Sequence, residues 1–141
     1  MNSTPTPAEL LPHAEPMVLI DRVCHWDSHT IACRASSHRS ADNPLWCGGR
    51  LSIYAGLEYA AQAMAAHAKL VADAEETPRR GFLATASKIA AHTDRLDSIS
   101  AELDIKATQM VSNGDSSLYA FTISAVGDVL LEGELMVVKH D

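Results

Sequence analysis

The rhythm of hydrophobic and polar positions changes several times along these 141 residues, and each change marks a different element. Residues 1–8, rich in Pro, Ser and Thr, carry no apolar rhythm and are expected to form a flexible tail. Residues 9–11 suit a short helical turn, stopped by Pro12. Residues 17–26 are β-like, Asp27-Ser28 signals a turn, and the alternation over 29–37 completes a hairpin. Residues 39–50 hold Asp, Asn, Pro and a Gly pair, the composition of an irregular loop.

The longest coherent element is 51–72. It has no internal Pro, many Ala, and apolar residues on nearly every face, including Leu51, Ile53, Leu57, Ala60, Met64 and Leu70. A helix that is hydrophobic all round is a buried one. At about 30 Å it would cross a small domain. Residues 73–80 read as a charged exit loop. Beyond it come four β-like segments, 81–89, 98–110, 117–126 and 128–139, with Asn113-Gly114 and Gly127-Asp128 as tight turns. A strand pair, one long helix and a run of antiparallel strands is an α+β pattern, most simply packed as a sheet wrapped around the helix in a single domain over 9–141. Such a wrap leaves a sheet edge and a helix flank uncovered, so a homodimer or higher oligomer is expected.

The net charge of −7 narrows the partners. It argues against nucleic acid, because phosphates need an excess of Lys and Arg, and weakly against anionic membranes. Arg79-Arg80 and Lys88 could dock an acidic partner locally, although solvating a loop is the simpler role for the arginine pair. Cys24, Cys33 and Cys47 are an odd number without C-x-x-C spacing, which fits a reducing cytoplasm. No export signal opens the chain, and no apolar run is long enough to span a bilayer.

Two motifs carry candidate chemistry. One reads L-L-P-H-A-E-P-M-V-L-I-D-R-V over 10–23; the other reads G-L-E-Y-A-A-Q-A over 56–63, with Glu58 and Gln62 one helical turn apart in an apolar, Ala-rich helix. A carboxylate in such surroundings is costly unless it is paired or used. Both motifs resemble the 3-hydroxyacyl-acyl-carrier-protein dehydratases, a hot-dog family in which an antiparallel sheet wraps one long central helix. The resemblance covers about residues 9–139. The N-P-L-W…G-G loop over 43–49 is similar to a subgroup encoded with aryl-polyene or related polyketide pathways.

The resemblance implies dehydration of a 3-hydroxyacyl thioester on acyl carrier protein to the trans-2-enoyl product, without cofactor or metal. Glu58 would be the acid/base, Gln62 would orient it, and Gly48-Gly49 with the helix start would hold the thioester carbonyl. In the family a loop His removes the C2 proton, yet Gly49 stands at that place here. His13, in the L-P-H turn, is the candidate substitute, and His38 is the second. Holding the turn before the first strand by hydrogen bonds is the simpler role for His13. The missing His motivates two alternatives: a weakened subunit partnering an active dehydratase in a hetero-oligomer, and an acyl-thioesterase with Glu58 activating water.

Other constellations carry less. Cys24, His25, His29 and Cys33 have metal-like spacing but no supporting carboxylate. Cys47 lacks a partner base in sequence and reads as a quiet loop thiol. His67 lies near the opposite helix face from Glu58 and is expected to pack or to meet solvent. Gly48-Gly49 is not a phosphate loop, since no G-x-x-x-x-G-K-[ST] or G-x-G-x-x-G pattern accompanies it.

Overall fold

A computed structural model describes residues 5–11, 17–73 and 80–140. Helix α1 spans Pro7–Leu10, and strands β1 (Arg22–Trp26) and β2 (Thr30–Ala35) follow. One-turn 3-10 helices at Ser37–Arg39 and Ile53–Ala55 lead into the central helix α2, Gly56–Asp73. Strands β3 (Arg80–Ala91), β4 (Leu103–Asn113), β5 (Ser116–Ala125) and β6 (Asp128–His140) complete the fold. All strand pairs are antiparallel, in the order β1-β2-β4-β5-β6-β3, so β1 and β3 lie at the edges.

The alternation seen in sequence becomes the two faces of the sheet. Along β5 every second residue is buried, from Ser117 through Tyr119, Phe121 and Ile123 to Ala125. Register then stacks like on like: Ile123 sits between Ile105 of β4 and Leu131 of β6, all buried. Helix α2 closes this face with Tyr59, Ala60, Ala63, Met64, Ala66 and Leu70. Each large apolar side chain buried in this way contributes about 1.5–3 kcal/mol. Gly56 lets the helix start touch the sheet, since a Cβ there would lie 2.8 Å from Leu131 Cδ2 and 2.9 Å from Ile123 Cδ1.

Several expected boundaries move, and the helical turn expected over 9–11 lies at Pro7–Leu10. The strand expected over 17–26 joins the sheet only from Arg22, because residues 17–20 lie against α2 and have their backbone groups bonded by side chains instead. Helix α2 begins at Gly56 rather than 51. Residues 51–53 bond across to the loop before β4, with Leu96 N donating to Leu51 O at 2.8 Å and Ile53 N to Asp94 O at 3.0 Å. Those same bonds hold 94–97 out of the sheet, so β4 starts at Leu103 rather than 98. The hairpin turns centre on Gly114-Asp115 and Val126-Gly127, one residue off the expected pairs in each case.

Candidate active site

Glu58 sits in the first turn of α2, half-buried, where the positive end of the helix faces a negative charge favourably. Its Oε1 accepts a hydrogen bond from Gln62 Nε2 at 3.3 Å. Gln62 is 1% exposed, and backbone groups hold both ends of its amide. Nε2 donates to Met17 O at 2.6 Å, and Oε1 accepts from Leu19 N at 2.9 Å. A carbonyl only accepts and an N–H only donates, so the sense of the amide is set and it presents a donor to Glu58. Gln62 is thereby brought to Glu58 as expected. With its amide engaged on three sides it holds protein groups rather than an open surface.

Gly48 and Gly49, the expected carbonyl-binding pair, form the tip of a tight turn closed by Cys47 and Arg50. Cys47 N donates to Arg50 O at 2.9 Å, and Arg50 N to Cys47 O at 3.2 Å. Both glycines have positive φ, +62° and +79°, which a two-residue turn of this kind demands. They are exposed with open space about them, and α2 begins seven residues after Gly49, at Gly56. His13, the expected second proton-transfer group, lies outside the described residues, as does Arg79.

The other histidines separate clearly. His38 is fully buried, with Nε2 donating to Ile99 O at 2.9 Å and Nδ1 lacking a partner among the described residues. Burial, reinforced by the Arg39 charge, pushes its pKa down, so the neutral ring is the favoured form. His67 is buried, not solvent-facing: Nε2 donates to Asp27 O at 2.9 Å, which leaves Nδ1 to accept from the Tyr119 hydroxyl at 2.6 Å. Burial pushes the Tyr119 phenol up to about 12, so it remains a donor at neutral pH. His67 ties the far end of α2 to the β1–β2 turn and to β5.

Sequence reasoning missed a polar cluster beside Glu58. Tyr59 is fully buried, and its hydroxyl accepts from Asn43 Nδ2 at 3.0 Å and lies 2.7 Å from Ser37 Oγ. Ser37 Oγ donates to Leu19 O at 2.7 Å. A Tyr amid alanines on a buried helix face was the available signal, because a buried phenol needs partners. Asp97 is a further anchor: it pairs with Arg95 through both carboxylate oxygens and accepts from Leu51 N at 2.9 Å, fixing the approach to α2. Cys24 and Cys47 are exposed thiols, and Cys33 is buried, which pushes its pKa up to about 12. Among the described residues no three His, Cys, Asp or Glu side chains gather as a metal site requires, and no helix is long and apolar enough to cross a membrane.

The family model for ApeP-like proteins, described as ApeP dehydratase, matches residues 5–141. Among solved structures, the chain superposes on a chain of the dehydratase heterocomplex ApeI:P from Xenorhabdus doucetiae with a TM-score of 0.86 at 21% identity, covering 97% of this chain and 92% of that one. A hypothetical thioesterase protein with coenzyme A from Streptococcus pneumoniae TIGR4 gives 0.63 at 11% identity, with 84% of each chain covered. AziG from S. sahachiroi gives 0.62 at 17% identity, covering 92% and 97%. At these identities the likeness speaks for the fold, a six-stranded antiparallel sheet around one long helix, which is the hot-dog fold expected from the sequence. No curated protein sequence matches the chain significantly.

Proposed function

This chain belongs to the ApeP-like dehydratase family, and we propose that it acts in the dehydration of a 3-hydroxyacyl thioester on acyl carrier protein. A base takes the C2 proton, that electron pair becomes the C2–C3 double bond, and the 3-hydroxyl leaves as water after receiving a proton from Glu58. The observation that carries this reading is the placement of Glu58: half-buried at the start of an apolar helix and held by an amide whose sense is set by the backbone. The exposed Gly48-Gly49 turn offers backbone a thioester carbonyl can approach closely, since no side chain crowds it. His13 is the proposed C2 base of the chain acting alone. The exposed free thiols of Cys24 and Cys47 suit a reducing cytoplasm.

A second arrangement has its own support. Gly49 stands where the family's loop His would fall, and the structural neighbour at a TM-score of 0.86 is a chain of a dehydratase heterocomplex. On this reading a partner hot-dog subunit provides the C2 base and this chain provides Glu58 or the subunit contact. The test is to incubate purified chain with a 3-hydroxyacyl carrier thioester, alone and mixed with a standard dehydratase, and to follow the acyl group by mass spectrometry. Enoyl product from the chain alone, largely lost in His13→Ala, supports the solitary enzyme. Inert chain that becomes active or stimulatory on mixing supports the hetero-oligomer. Free acid without enoyl product would overturn dehydration in favour of thioester hydrolysis.

A further inference from the structure

Residues 17–20 have an unusual means of support. They precede β1 and form no part of the sheet, yet Leu19 and Ile20 are buried. Both backbone groups of Leu19 are held by side chains: its N–H by Gln62 Oε1 at 2.9 Å and its carbonyl by Ser37 Oγ at 2.7 Å. The same Gln62 amide donates to Glu58 Oε1 at 3.3 Å, so whatever holds Leu19 also bears on Glu58.

The direction of every bond in this cluster follows from its ends. Ser37 Oγ spends its one proton on the Leu19 carbonyl, so it can only accept from the Tyr59 hydroxyl, 2.7 Å away. The Tyr59 oxygen in turn accepts from Asn43 Nδ2 at 3.0 Å, whose second hydrogen goes to Ser37 O, also at 3.0 Å. Asn43 Oδ1 accepts from Leu45 N at 2.8 Å. The result is a directed, partly buried chain of bonds from the 43–45 loop through Tyr59 and Ser37 to Leu19, and from Leu19 through Gln62 to Glu58. Such networks stiffen the groups they connect when every member is satisfied.

We propose that Tyr59 is a positioning residue: through Ser37 and the Leu19 peptide it holds the Gln62 amide, and so the orientation of the Glu58 carboxyl. The inference rests on the proposed role of Glu58 in dehydration. It assigns the neighbour of Glu58 on α2 to the reaction although that hydroxyl is fully buried and touches no substrate. Because Gln62 presents a donor, Glu58 Oε1 is kept as an acceptor, and the transferable proton belongs on Oε2.

The decisive variant is Tyr59→Phe. The ring keeps its packing, Asn43 keeps Ser37 O and Ser37 keeps Leu19 O, so the fold has no new orphan donor beyond one Asn43 hydrogen. Ser37→Ala breaks the same chain from the other side and stands in should Tyr59→Phe fail to fold. Ile31→Val, which thins the core beside the β1–β2 turn at the far end of α2, serves as control. With the full chain, and with a dehydratase partner if activity requires one, Tyr59→Phe should lower kcat by about tenfold with KM within about twofold, as a displaced but present acid would. The control should leave both unchanged.

Native-state hydrogen exchange reads the coupling without any turnover. In Tyr59→Phe the Leu19 amide should exchange about tenfold faster relative to that of Ile123, whereas a general loss of stability accelerates both alike. An unchanged ratio overturns the coupling. A raised ratio with unaltered kcat overturns the positioning role. Wild-type chain inert under every pairing overturns the proposed dehydration, and the exchange ratio then still decides whether the chain of bonds is coupled.

Discussion

Glu58 beside an amide and Asp97 beside a guanidinium make different demands on a single residue. Glu58→Gln keeps shape and the bond to Gln62 while removing the proton that the proposed dehydration transfers. Turnover should fall by about 10²–10⁴-fold, with the melting temperature nearly unchanged, as parallel kinetics and thermal scans would check. Asp97 bears on stability instead. Hydrogen bonding to Arg95, with help from the Leu51 N–H, holds its carboxyl well below the usual aspartate range. A depressed folded-state value means the stabilisation is complete above the ordinary aspartate value of about 4 and fades as pH falls below it toward the folded value. Thermal midpoints measured in steps from neutral to acidic pH should therefore drop below about pH 4 in wild type, and drop less in Asp97→Asn, which keeps an oxygen for Leu51 but has no proton to gain.

At the scale of elements, two sites on the sheet hold opposite reserves. The β5–β6 turn places Val126 at φ +50°, 82% exposed, followed by Gly127 at φ +83°. A β-branched residue in the left-handed region is strained with no packing to offset it, and Asn-Gly is the pair this turn prefers. Val126→Asn should raise stability by about 1 kcal/mol, readable as a higher denaturation midpoint at an unchanged slope. Gly133 is the reverse. Opposite it, β3 carries a bulge between Ser87 and Ala90, with Lys88 at φ +55°. A Cβ on Gly133 would lie 2.4 Å from Ile89 Cδ1 and 3.1 Å from Ser87 O. The Ile89 tip could swing aside but the backbone oxygen could not, so Gly133→Ala should cost about 1–3 kcal/mol in the same assay.

For the molecule as a whole, a sheet edge and a helix stripe stand out among the described residues. Strand β3 ends the sheet with residues 85–88 exposed, and the outward stripe of α2 shows Leu57, Ala61, Ala65 and Ala68 half-buried. Unpaired strand edges and apolar stripes invite a partner. Sedimentation of the purified chain should give a mass of at least two 15.1 kDa copies; a clean monomer at micromolar concentration would count against the homodimer, and a monomer that stays unshifted when mixed with a standard dehydratase would count against the hetero-oligomer as well.

The order of elements was legible in the residues themselves. Alternation over 117–126 and the all-round apolar stretch expected over 51–72, which is helical from Gly56, specify a strand and a buried helix whatever else the chain does, because period and burial are local properties. Gln62 beside Glu58 was legible too, since four residues bring side chains together on any helix. Where segments leave the sheet was not. Residues 17–20 have strand-like composition, and only the arrival of Gln62 and Ser37, 43 and 18 residues from Leu19, decides that side chains rather than a neighbouring strand serve their backbone. The Asn43–Tyr59–Ser37 cluster has the same character: three polar residues with no common spacing become one network because the central helix, the one-turn helix at Ser37 and the 43–45 loop pack together. Periodicity is written along the chain, but hydrogen-bond partners of high sequence separation are chosen by packing, and that choice belongs to the tertiary structure.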